Sequence, residues 1–99
     1  MIGTLPSFDV ALVLRVGGDV VYAYGDVDRV FPLASVTKPI VAWSALVAVE
    51  RGLISLDDPA GPEGATVRHL LAHASGLPFE GRRPVAAPGK RRIYSNEGF

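Results

Sequence analysis

Apolar residues in this chain gather into three runs with polar breaks between them. Val10-Ala-Leu-Val-Leu-Arg-Val16 and Val20-Val-Tyr-Ala-Tyr24 have strand length and are rich in β-branched and aromatic residues. Gly17-Gly18-Asp19 separates them, and glycine supplies the positive φ that tight hairpin turns need, so the pair predicts an antiparallel hairpin. The third run, Ile40-Val-Ala-Trp-Ser-Ala-Leu-Val-Ala-Val49, is longer and apolar on nearly every side. It predicts a helix over 39–50 that belongs in the middle of a core and ends at Gly52, where a left-handed residue closes a helix. Thr66 predicts the cap of a shorter helix, Val67 to His73, with Gly76 as its stop. Residues 77–92 are rich in Pro, Gly and Arg and read as loop.

At the entrance of the long helix stand Ser35 and Lys38. Their spacing puts both side chains on one face of a helical turn, about 5–6 Å apart at Cβ. Pro39 biases the residue before it away from the helical region, so regular helix is expected from Pro39, with Ser35–Lys38 in a tighter turn. A serine beside a lysine is a nucleophile beside a proton acceptor. The plainer reading is an N-cap serine and a solvated lysine, and a lone Ser-x-x-Lys arises by chance in many chains. The apolar helix behind the pair is what favours chemistry, because desolvation is what makes a lysine a useful base.

The other candidates are weaker. His69 and His73, four apart, share a helix face, but no third ligand accompanies them, and a structural role outweighs a metal site. Asp57 and Asp58 suit turn and cap duty better than acid–base work.

Composition narrows the class. The chain has 99 residues, so it holds one domain or part of one, and 48% hydrophobic content describes a globular chain. Ten basic residues balance ten acidic ones, which provides no field to recruit nucleic acid or an anionic membrane. The absence of cysteine excludes disulfides and thiolate-bound metal. Met1 to Pro6 lacks the basic and apolar regions of a signal peptide, and the longest apolar run is too short for the roughly 20 residues of a membrane span. A soluble cytoplasmic protein is the expectation.

Three stretches taken together carry a resemblance. Phe31-Pro-Leu-Ala-Ser35-Val-Thr-Lys38, then Arg68-His-Leu-Leu-Ala-His73-Ala-Ser75-Gly76-Leu77, then Pro88-Gly89 running into Tyr94-Ser95-Asn96 resemble the serine β-lactamase family. The branch is that of class C β-lactamases, related esterases and D-alanyl-D-alanine peptidases, marked by Tyr-x-Asn. The resemblance implies an α+β, β-lactamase/transpeptidase-like fold: an antiparallel sheet flanked by helices, plus a helical region. It implies an acyl-enzyme on Ser35, with Lys38 and Tyr94 handling the proton and Asn96 orienting a small ester, amide or β-lactam substrate. No cofactor or metal is implied. Ser95 is a lesser candidate, and His69, His73 and Ser75 fall in the family's structural segments.

One departure qualifies the resemblance. The family's third motif, Lys-Thr-Gly or His-x-Gly on a late strand, is absent from residues 1–99. That strand supplies one of two oxyanion donors, and losing one donor costs about 10²–10³ in kcat. Residues 1–99 are therefore expected to be a single incomplete domain, the N-terminal part of a longer enzyme. A catalytically silent binding or structural module, or an inactive fragment, is the alternative. Alone, such a fragment is expected to expose the long helix and to self-associate through it.

Overall fold

The computed structural model describes residues 8–99, so the signal-peptide reading of Met1 to Pro6 lies outside them. The chain falls into two compact units, Met1–Pro32 and Leu33–Phe99.

The first unit is the expected hairpin. Strand β1, Leu12–Val16, pairs antiparallel with β2, Asp19–Tyr24. Gly17 and Gly18 have φ of 58° and 89°, and a two-residue turn with positive φ at both positions matches the twist of the strands it joins. Val16 opposes Asp19 and Arg15 opposes Val20, but Leu14 opposes Tyr22. Val21 is thus an extra residue, a bulge that bends the ribbon and sharpens its twist. In the same unit, Arg29 pairs with Asp9 at 2.7 Å and lies 5.5 Å from the centre of the Phe31 ring.

The second unit opens with a 3-10 turn, Ala34–Val36, that runs straight into helix α1, Thr37–Glu50. The helix therefore starts before Pro39. A proline in the first turn removes only an N–H that has no helical partner there, so its usual penalty does not arise. At the other end Gly52, with φ of 72°, donates to Val49, and Leu53 donates 2.9 Å to the Ala48 carbonyl. This is the glycine-closed helix end the sequence predicts.

Helix α1 does not sit in a core here, and its exposure is what the sequence predicts for residues 1–99 alone. None of its residues is buried among the described residues, and Trp43 is 72% exposed. Among the described residues the buried apolar side chains are Ala65 and Leu77 and the buried polar ones Ser75 and Ser95. That small core lies under the loops of the second unit, not around α1.

Helix α2, Val67–Leu71, is shorter than the sequence suggests. Its start is a reciprocal cap: Thr66 Oγ1 accepts the His69 N–H, and His69 Nδ1 accepts the Thr66 N–H at 3.1 Å. Its stop is His73, not Gly76. His73 donates its N–H to the Leu70 carbonyl, Ala74 donates to the His69 carbonyl, and His73 itself has φ of 56°. That is a left-handed helix end with histidine where glycine is usual. Gly76 has a separate task, because a Cβ there would stand 2.0 Å from the Ala86 carbonyl oxygen. The close approach lets Val85 donate to the Gly76 carbonyl and fastens the 77–92 loop to the end of α2. Asp58 accepts the Ser55 N–H at 2.9 Å, which is turn duty, whereas Asp57 forms an exposed ion pair with Arg68.

Candidate active site

Ser35 sits in the middle of the 3-10 turn, so its direction is set by the backbone that leads into it. Ala34, just before it, has φ of 47°. A left-handed alanine costs about 1 kcal/mol or more and persists only where its surroundings enforce it. The turn delivers the Ser35 hydroxyl to Lys38, one turn on, whose Nζ donates to Ser35 Oγ at 3.2 Å. Lys38 Nζ also donates to Asn96 Oδ1 at 2.6 Å. Because ammonium is a donor only, this bond fixes which face of the Asn96 amide points inward. The remaining Asn96 NH2 group is left for another acceptor.

Tyr94 completes the cluster. Lys38 Nζ lies 4.6 Å from the centre of its ring. Hydrogen-bonding stabilisation by Lys38, and then by Ser35, holds the Tyr94 phenol below its usual value of 10.0, while desolvation pulls the other way. A cation and a hydroxyl beside the ring favour phenolate, the form that accepts a proton. Ser35, Lys38, Tyr94 and Asn96, separated by up to 58 positions in sequence, thus occupy one place.

Ser35, Lys38 and Tyr94 line a shallow cavity of about 340 Å³ together with Ala42, Leu71, His73 and Phe99. Its apolar wall comes from α1, the end of α2 and the last residue of the chain. A larger depression of about 530 Å³, lined by Glu63, Leu77, Arg82, Pro84 and Glu97 among others, shares no residue with it and contains no serine beside a base.

The other candidates go elsewhere. Ser95 is buried, and its Oγ accepts the Gly98 N–H at 3.1 Å, so it closes the following turn instead of facing Ser35. His69 and His73 each commit Nδ1 to a backbone N–H, and among the described residues no three His, Asp or Glu side chains are grouped to hold a metal ion. No helix among them is long and apolar enough to cross a membrane. One residue at the site escapes sequence reasoning. His73 reads as a structural helix residue, and nothing in the sequence marks it as the left-handed end of α2.

Comparison with known proteins converges on one family. The family model for beta-lactamase matches residues 8–99. A penicillin-binding protein of Bacillus subtilis is 31% identical over 96 residues, 78% of this chain and 21% of the relative. An esterase of Burkholderia gladioli is 44% identical over 66 residues, 52% of this chain and 17% of the relative. Among solved structures, a beta-lactamase from Mycobacterium bovis superposes with a TM-score of 0.74 at 61% identity, covering 81% of this chain and 29% of that one. The chain spans about a fifth of the length of the curated relatives it matches.

Proposed function

The chain belongs to the beta-lactamase family, and from that premise we propose that it carries the nucleophilic half of an acyl-serine hydrolase. The observation that supports this most is the continuous contact from Ser35 Oγ to Lys38 Nζ to Asn96 Oδ1, with Lys38 held over the Tyr94 ring. Ser35 attacks the carbonyl carbon of an ester, amide or lactam. Its proton passes to the Tyr94 phenolate, stabilised by Lys38, and then to the departing oxygen or nitrogen as the carbonyl–leaving-group bond breaks. Water then attacks the acyl carbonyl and gives its proton to the same pair, which returns it to Ser35 Oγ as the Oγ–acyl bond breaks and the acid leaves. Asn96 holds Lys38 in place and offers its free NH2 to the substrate's acceptor.

The test is covalent labelling of the full-length protein with a fluorophosphonate or a fluorescent penicillin. Mass spectrometry is expected to find the adduct on Ser35 and to find none in Ser35→Ala. Equal labelling of the two proteins, or no adduct on Ser35 with either reagent, sinks the proposal in favour of a silent member of the family.

A further inference from the structure

His73 occupies a position that its backbone argues against. At φ of 56° it is one of two non-glycine residues with positive φ among the described residues, the other being Ala34 beside the nucleophile. Glycine closes helix ends of this kind without strain. A strained histidine there directs attention to its side chain.

That side chain and its carbonyl hold Tyr94 from three directions. The His73 carbonyl accepts the Ile93 N–H at 2.8 Å, and His73 Nδ1 accepts the Ser95 N–H at 3.1 Å. The residues on both sides of Tyr94 are thus bound to one residue. The imidazole also stacks on the Tyr94 ring, with centroids 4.8 Å apart and planes 28° apart. Phe79 stands 6.0 Å from the same phenol ring and its carbonyl takes the Asn96 N–H at 2.9 Å, but it makes no bond to the neighbours of Tyr94.

We propose that His73, in its neutral form with Nδ1 unprotonated, is the positioning residue that sets Tyr94 against Lys38. This rests on the acyl-serine reading above. The requirement for neutrality is geometric: Nδ1 accepts an amide hydrogen, and a protonated imidazole has no acceptor. Desolvation, and then the charges of Arg92 and Lys38, hold the His73 pKa below 6.5, so the surroundings favour the form that grips. The titratable and charged groups facing the imidazole are Arg92, Lys38 and the Tyr94 phenol. Two of these are cations, and both oppose its protonation.

Two substitutions separate grip from fold. His73→Gly removes the ring and the acceptor but relieves the left-handed strain, so the helix end is kept. His73→Asn keeps a short acceptor near the Nδ1 position and tolerates the left-handed backbone. In the full-length protein, the Tyr94 phenol is titrated by tyrosinate absorbance against a Tyr94→Phe blank, which requires no turnover. The expected result is that His73→Gly raises the Tyr94 pKa toward its ordinary value while circular dichroism and melting stay close to wild type. His73→Asn is expected to fall between the two. In the kinetic arm, His73→Gly is expected to lose on the order of 10–10²-fold in kcat with little change in KM, the scale of a misplaced catalytic group. The wild-type rate is expected to fall in acid through a pKa below 6.5, a limb that His73→Asn lacks. An unchanged Tyr94 titration in a folded His73→Gly overturns the proposal. So does survival in His73→Asn of the separate limb below 6.5, which is distinct from any fall caused by protonation of Tyr94 itself. Absence of any Ser35 adduct in the wild type counts against the hydrolase reading alone, because the Tyr94 titration still decides the role of His73.

Discussion

At the scale of single residues, the site depends on one ammonium group with three neighbours. Lys38 touches Ser35, Asn96 and the Tyr94 ring at once, so removing it should be felt at Tyr94 first. Its interaction is the largest cause of the lowered Tyr94 pKa. In Lys38→Met the phenol is expected to titrate closer to 10, read as a shift in tyrosinate absorbance. A titration that did not move would show that Lys38 does not poise this base. The sign bears on stability too. A depressed phenol pKa adds stability above its unfolded value near 10, and that gain is lost as pH falls through the lowered folded value. Below that value the perturbation concerns reactivity and leaves the fold no more stable.

At the scale of elements, the punctuation of the sequence was readable and the packing was not. Gly17-Gly18 gave the hairpin turn, Gly52 the end of α1 and Thr66 the start of α2, because each of these is a local demand on φ or on an orphan N–H. Ser35, Lys38, Tyr94 and Asn96 were legible through spacing and resemblance, and the structure gathers them. The stop of α2 is not legible, since His73 takes the left-handed conformation that the sequence assigns to Gly76. The start of α1 was placed two residues late, at Pro39 instead of Thr37. The Val21 bulge left no mark in the pattern, since valine fits a strand whether or not it is paired. The reciprocal Thr66–His69 cap yields a direct prediction. Thr66→Ala is expected to cost about 1 kcal/mol of unfolding free energy, measured by denaturant titration. A cost near zero would mean that α2 is held by the bonds of Val67 and Arg68 to Asp58 and Leu56 and not by its cap.

At the scale of the molecule, most large apolar side chains remain in water. Ile40, Val41, Trp43 and Leu46 of α1 are each at least 41% exposed, and Val13, Leu14, Val16, Val20 and Val21 of the hairpin are more than 45% exposed. An exposed apolar face of this kind, on either unit by itself, drives association. Residues 1–99 expressed alone are expected to bind a hydrophobic dye strongly, to self-associate and to turn over no ester. A monomer with a sharp cooperative melt and Ser35-dependent hydrolysis would contradict this. The bond between Lys38 and Asn96 has a consequence of its own for how the site comes together. Ser35 to Lys38 spans 3 positions and His73 to Ser95 spans 22, but Lys38 to Asn96 spans 58. Closing a flexible loop of that length costs roughly 3–4 kcal/mol in chain entropy. A hydrogen bond to a charged group returns about 1.5–3 kcal/mol. The two halves can therefore each take shape from nearby sequence, but the bond between them does not hold the ring of chain shut unaided. The proposed site is complete only with that last closure, so two well-formed halves that drift apart leave Ser35 and Lys38 without Tyr94 and Asn96.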